Sequence, residues 1–388
     1  MLELTFPRNG AILNKNHGIE TAESLTVDFT GFCDVSGEIT IGGVVADRLG
    51  RGFSAPVKLT EKFNKIKLEL RSLQGIFTQE ITVIWDKAAF NRYEFYIDDH
   101  SFFWSDIIRD KPKSIFDHFY LKHLKDMHSR YPMKVILNMF YRNDHADTPT
   151  LDQFPDCYKH EWEDNSDWMR LSFHSYSEFP DRPYQDATPE KLLADYDLLY
   201  NEIVRIAGEK SWVRPPVLHW AMATPDALRA MHTERGVKFI NGAYYNADTG
   251  RRLQEAAGGE NVFKASAIPT CDIGYFINLD EAEYLKKAKA WYHTDLDLIF
   301  TAGSGCCCNL VPLNEIKERL DKAFELAKSA KNTTFGIGSH EQYSFPYYKA
   351  YEPDHLQRLE LAVKTMTEHD CTPVWFDDGL LGNTAWEK

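Results

Sequence analysis

No stretch of this 388-residue chain approaches the ~20 uncharged apolar residues that cross a bilayer, so no membrane partner is expected. The opening run, Met1-Leu2-Glu3-Leu4-Thr5-Phe6-Pro7-Arg8, lacks the apolar core of a secretory leader, and the reading is a cytoplasmic protein. No run of Lys and Arg exceeds two residues, and 44 basic against 58 acidic side chains leave a formal charge of −14. Such a surface repels phosphates, so nucleic acid is not an expected partner. The 22 glycines and 17 prolines follow no period, and a 43% hydrophobic content supplies a core, which excludes collagen and disorder. The seven cysteines are odd in number and none forms a C-x-x-C pair, which argues for reduced thiols. Cys306-Cys307-Cys308 reads as three small buried apolar residues, because adjacent cysteines on a strand alternate faces and cannot converge on zinc.

What is present is unevenly divided. The first 90 residues hold 10 basic and 11 acidic side chains and one histidine, His17; the other 13 histidines and a net charge of −13 follow. Within the first 90, Leu25–Phe29, Glu38–Ile41, Lys65–Leu70 and Glu80–Trp85 alternate apolar and polar residues, the period of half-buried antiparallel strands. Gly42-Gly43 and Gly50-Arg51-Gly52 separate them, and no helical period intervenes. Residues 1–90 are therefore expected to be a small all-β sandwich of immunoglobulin-like type, an accessory domain.

From residue 91 onward short apolar runs alternate with helical segments. The runs are Tyr93–Ile97, Lys134–Met139, Trp168–Phe173, Val217–Trp220, Lys238–Asn241, Asp297–Thr301, Thr334–Ile337 and Thr372–Phe376. Thr188-Pro189-Glu190 and Thr224-Pro225-Asp226 each place an N-cap before a proline at the first helical position, and Gly208 and Gly236 end those helices. Leu356, Leu359, Val363 and Met366 stripe another helix. Seven or eight strands alternating with helices predict an α/β domain over 91–388, a seven- or eight-stranded distorted (β/α) barrel.

In such barrels the reacting side chains follow the strands, and four strand ends carry them. They are Asp98-Asp99-His100, His174 with Glu178 four residues on, His219-Trp220 preceded by Arg214-Pro215-Pro216, and Ser339-His340-Glu341-Gln342. Adjacent carboxylates repel unless a cation or proton relieves them, which favours a metal ligand beside a general base.

These stretches resemble the polysaccharide deacetylases, a family with a distorted (β/α) barrel. Tyr96-Ile97-Asp98-Asp99-His100 is similar to its Thr-Phe-Asp-Asp-Gly motif, His174-Ser175 to the start of its His-Ser/Thr-x-x-His-Pro motif, Arg214-Pro215-Pro216 to Arg-x-Pro, and Ile337-Gly338-Ser339-His340 to its closing Leu-x-His. The second motif departs from the family, with Glu178 at the second His position and the proline one residue late at Pro180. The resemblance implies Asp98 as catalytic base oriented by Arg214, His340 as general acid, and Asp99 and His174 as ligands of a divalent metal, Zn²⁺ foremost, with Mn²⁺ or Co²⁺ as alternatives. Glu178 or His219 would complete the metal site. Trp375-Phe376-Asp377-Asp378-Gly379 matches the first motif more literally, but it lies at the last strand with no second motif after it and reads as barrel rim.

The implied activity is removal of acetyl groups from an N- or O-acetylated carbohydrate. Sugar-facing candidates near the strand ends are Trp104, Tyr176, Trp220, Glu341 and Tyr343. Two other readings stay open. A glycoside hydrolase would need paired carboxylates ~5–5.5 or ~6.5–9.5 Å apart, such as Asp98 with Glu341 or Asp378, and a carbohydrate-binding barrel would have lost its metal.

Overall fold

The computed structural model describes residues 2–145, 150–214, 217–243, 279–302 and 305–387. The chain divides into two compact units, one of residues 1–89 with 290–299 and 383–388, the other of residues 90–289 with 300–382.

The first unit holds two five-stranded sheets. In one, Leu2–Phe6, Leu25–Cys33, Gly52–Leu59 and Asp47–Leu49 lie side by side, with Ile19–Glu20 also on Leu25–Cys33. In the other the order is Ile12–Leu13, Gly75–Trp85, Phe63–Ser72, Glu38–Ile41 and Val44–Val45. All four alternating runs identified in this region lie within observed strands. Leu25, Val27 and Phe29 are buried while Asp28 is exposed, and Ile66, Leu68 and Leu70 are buried while Lys65 and Lys67 are exposed. Each sheet thus has one apolar face, the arrangement that period-2 patterning produces. The faces meet at Gly42, where a Cβ would lie 3.3 Å from Val57 Cγ1 and 3.7 Å from Ile66 Cγ2. The C-terminal tail is pinned by Trp386, whose indole N–H donates to Trp85 O at 2.8 Å.

The second unit runs β1 (Arg92–His100), α1 (Phe102–Asp110), α2 (Phe119–Arg130), β2 (Val135–Phe140), α3 (Lys159–Asp164), β3 (Met169–Ser175), α4 (Pro189–Ala207), α5 (Pro225–Arg235), β4 (Phe239–Ala243), α6 (Leu279–Ala288), β5 (Leu298–Ala302), β6 (Cys306–Cys307), α7 (Ile316–Ser329), β7 (Thr334–His340), α8 (His355–Glu368) and β8 (Thr372–Pro373). Strands β3, β2, β1, β7 and β6 form a parallel sheet in that order, with β8 parallel to the start of β1. Strand β1 is buried at all nine positions, as a central parallel strand covered on both faces must be. Strands β4 and β5 belong to a second sheet.

The expected starts and stops of two helices are built as read. Thr188 Oγ1 accepts from Lys191 N and Thr224 Oγ1 from Ala227 N at 3.2 Å, while Gly236 closes α5 at φ +68°, where a side chain would be strained.

The described strands form no closed barrel, and the reason lies at one expected strand. Val217–Trp220 is not β: His219–Ala221 is a tight 3-10 turn with Trp220 at φ +63° and Ala221 at φ +49°. Pro215 and Pro216, outside the described residues, have no N–H to offer a ladder. Among the described residues, pairing beyond β3 continues as an isolated bridge from Leu171 to Trp212. The last expected strand is likewise short, with only Thr372–Pro373 paired.

Arg92 anchors the start of β1. It is fully buried, and its guanidinium donates to Leu381 O at 2.6 Å, Phe90 O at 3.2 Å and Leu380 O at 3.3 Å. Arg92→Met leaves these carbonyls without a donor, so it is expected to lower unfolding free energy by about 3 kcal/mol in a urea titration.

Candidate metal centre

The C-terminal ends of β1, β2, β3 and β7 lie at one edge of the sheet because the strands are parallel and in register, with Asp98 opposite His340 and Asn138 opposite Ser172. Successive residues of a strand point to opposite faces, so Asp98 and Asp99 would diverge in a regular β1. A register shift between Ile97 and His100, with Asp99 at φ +65°, removes that alternation. Both carboxylates are buried and both reach His174, Asp99 Oδ1 at 3.0 Å from Nε2 and Asp98 Oδ1 at 3.9 Å from Nδ1.

The far sides of two imidazoles decide what their near sides can do. His174 Nδ1 bonds Val217 O, and His219 Nε2 bonds Glu178 O at 3.1 Å. A carbonyl only accepts, so each of these nitrogens carries the ring's hydrogen, and the opposite nitrogen holds a lone pair. Those lone pairs face each other and one carboxylate: His174 Nε2 and His219 Nδ1 are 3.2 Å apart, and His219 Nδ1 is 3.5 Å from Asp99 Oδ1. Phe140 packs on both rings at 5.1 Å between centroids. Asp99, His174 and His219 thus offer three ligand atoms, all within 4.8 Å of one another and all buried. Acceptors aimed at one point fit a divalent cation, and distal N–H groups held by carbonyls are how metal-binding histidines are oriented.

Charge is sorted between the two aspartates. Burial, and then the neighbouring Asp99, push the Asp98 carboxyl well above its usual range, with the Asn138 amide at 2.7 Å opposing them. Burial also works against an ionised Asp99, but His340 opposes it most strongly and that carboxyl lies well below the usual range. Gln342 Nε2 donates to the other oxygen of Asp99 at 2.7 Å. Burial lowers the His174 imidazole, keeping it neutral and able to ligate.

The remaining site candidates fall into three places. His340 lies at the same edge, its Nδ1 3.0 Å from Asn309 Oδ1 and its ring 6.3 Å from that of Tyr343. Glu178 contributes its backbone to His219, while its carboxylate pairs with His145 instead of joining the three ligand atoms. Trp220 is 36% exposed, and Tyr176 is half-buried beneath the Arg142 guanidinium. Arg214 stands 3.7 Å from Asp377, and Asn138 occupies the place beside Asp98 that the resemblance gave to an arginine. Trp104 and Glu341 are inside the protein rather than at a sugar-facing surface. Trp104 Nε1 donates to His100 O at 3.1 Å, and both oxygens of the fully buried Glu341 accept backbone N–H groups at the start of α1.

Of the three consecutive cysteines, Cys306 and Cys308 are buried, but Cys307 is half-buried and polar in its contacts, 3.2 Å from Asn309 Oδ1 and 3.9 Å from His340 Nδ1. Burial, then the Asp98 carboxylate, push its thiol up to about 12, so it stands there as a thiol and not as a thiolate ligand. Asn138, Asn309 and Gln342 went unassigned from sequence. Asn138 carried a signal, as a polar residue in an otherwise apolar run, and Gln342 sat within a strand-end stretch already singled out.

No family model matches the chain, and no curated protein matches it. Among solved structures it is weakly similar to a dihydropteroate synthase from Clostridium difficile, at 9% identity and TM-score 0.27, over 73% of this chain and 97% of that one. It is also weakly similar to a carbohydrate acetylesterase from Xanthomonas citri, at 9% identity and TM-score 0.18, over 95% of this chain and 75% of that one.

Glu341 accepts from Ser101 N at 2.8 Å, Phe102 N at 2.8 Å and Phe103 N at 2.7 Å, three donors a helix start otherwise leaves unmade. Glu341→Ala is expected to cost about 2–3 kcal/mol in chemical denaturation, and Glu341→Gln, which keeps one acceptor, less than that.

Proposed function

We propose that the protein is a metal-dependent hydrolase that removes acetyl groups from an acetylated carbohydrate, most directly by cleaving the amide of an N-acetyl sugar. The observation that carries this reading is the convergence of three acceptor atoms, from Asp99, His174 and His219, beside a second carboxylate, Asp98, that is not part of the ligand set. Two imidazole nitrogens and one carboxylate oxygen suit Zn²⁺, with Mn²⁺ and Co²⁺ as alternatives. In fold terms we take the second unit, most of residues 91–388, as an open, distorted (β/α) barrel, and the first unit, built mainly on residues 1–90, as an immunoglobulin-like accessory domain.

A divalent cation held by this triad supplies a Lewis acid for the acyl carbonyl and acidifies water. Asp98, raised by burial and steadied by Asn138, then accepts the proton of the attacking water. His340 keeps Nδ1–H on Asn309 Oδ1, so in its doubly protonated form the second hydrogen, on Nε2, is the one that passes to the departing amine. Acetate and a free amino sugar are the products. Tyr343 and Trp220 offer aromatic faces for the sugar's C–H surface.

Metal analysis separates the roles. After incubation with Zn²⁺ and dialysis, the wild-type chain is expected to retain one ion. His174→Ala and His219→Ala should lose it together with acetate release from an N-acetylated oligosaccharide. Asp98→Asn and His340→Ala should keep the ion and lose roughly 10²–10⁴-fold in turnover. A chain that retains none of Zn²⁺, Mn²⁺ or Co²⁺ supplied in excess overturns the proposal.

A further inference from the structure

The loop after β3 carries a cation that no acid among the described residues neutralises. Arg182 lies in this loop at φ +54°, a left-handed position that costs a branched-free but bulky side chain strain. Its guanidinium carbon stands 5.5 Å from the centroid of the Trp220 ring, and its buried Nε has no hydrogen-bond partner. The Trp220 ring is in turn 5.9 Å from that of His219, so the guanidinium is one indole away from a ligand of the metal centre. Several other cations of this unit are answered by carboxylates: Arg142 by Asp144 at 2.7 Å, Lys191 by Asp195, Arg214 by Asp377 at 3.7 Å and Arg235 by Asp197 at 2.6 Å. Among the described residues Arg182 has no such partner, in a chain whose acids outnumber its bases by 14.

An arginine fork left open beside an exposed aromatic face is built for a planar anion. Guanidinium binds carboxylate through two parallel N–H···O bonds, and the indole face holds the fork in place by cation–π attraction while leaving its edge free. We propose that Arg182 is a subsite for the carboxylate of an acidic sugar, and that the saccharide acted on at the metal centre bears a carboxylate on the unit next to the acetylated one. This rests on the deacetylase reading for the neighbouring site, and it narrows the substrate from acetylated carbohydrates at large to uronate-type or other carboxyl-bearing ones. In a chain of formal charge −14, an anion gains at this face by reaching that fork.

Direct binding tests the subsite apart from catalysis. The probes are an oligosaccharide alternating N-acetylglucosamine and glucuronate, and the same oligosaccharide with its carboxyls reduced to hydroxymethyl groups, titrated calorimetrically into the full-length Zn²⁺-loaded protein. Wild type is expected to bind the acidic form about tenfold more tightly than the reduced form, with the ratio shrinking as salt rises. In Arg182→Gln the two forms should bind equally, and Arg182→Lys, with charge but no fork, should keep part of the ratio. Equal binding of both forms by wild type, or an undiminished ratio in Arg182→Gln, overturns the subsite. Acetate release from either probe is scored separately: its absence from both, with the binding ratio intact, rejects the deacetylase reading and leaves the anion subsite standing.

Discussion

Three electron pairs pointed at one another are a constraint that a folded protein does not tolerate without compensation. Asp99 Oδ1, His174 Nε2 and His219 Nδ1 stand 3.0–3.5 Å apart with no hydrogen between them once the distal nitrogens are committed to Val217 O and Glu178 O. Much of the surrounding structure serves that arrangement. The bulge in β1 and the positive φ of Asp99 bring its carboxylate inward, Gln342 holds the outer oxygen, and Phe140 packs on both rings. The strained turn at Trp220 and Ala221 follows directly after His219, as expected where local geometry is set by a side chain's position rather than by backbone preference.

The sorting of Asp98 from Asp99 is the second consequence. Two carboxyls on consecutive residues begin chemically equal and are equally buried, and their surroundings separate them: Asp99 has His340 and an amide donor to oppose its burial, whereas Asp98 has one amide against burial and the charge of Asp99. A carboxylate that stays ionised suits a cation, and one poised to hold a proton suits acid–base work. That division of labour comes from position alone, since the sequence offers only Asp-Asp.

Sequence periodicity made most strands and the helix ends legible because local sterics write them: a period of two for the sandwich strands, Thr-Pro and Gly at the ends of α4 and α5. The strand-end rule likewise points to Asp98, Asp99, His174 and His340, which the parallel sheet brings to one edge. It failed where partners are chosen across the fold. Nothing local says that the Glu178 carboxylate goes to His145 while its carbonyl goes to His219, that Arg214 stands by Asp377, or that Glu341 caps α1 from 240 residues away. Val217–Trp220 has the apolar composition of a strand, yet it holds a turn with Trp220 and Ala221 at positive φ and His219 bonded to the Glu178 carbonyl. Trp104 was read as sugar-facing from proximity to a strand end, but its place on the first turn of α1 points it into the core.

One segment ties the centre to its rim. The loop after β3 gives the Glu178 carbonyl to His219, the Glu178 carboxylate to His145, and the Arg182 guanidinium to the Trp220 face. His219 and Trp220 are adjacent in the chain, so the same two residues are gripped by the same loop at both points. A shift of that loop therefore cannot change the aromatic and cationic rim without also turning an imidazole of the ligand set. The orientation of the His219 imidazole and the placement of the exposed Trp220 face are in this way one mechanical unit, and a displacement at the rim bears on the geometry of the three converging atoms beneath it.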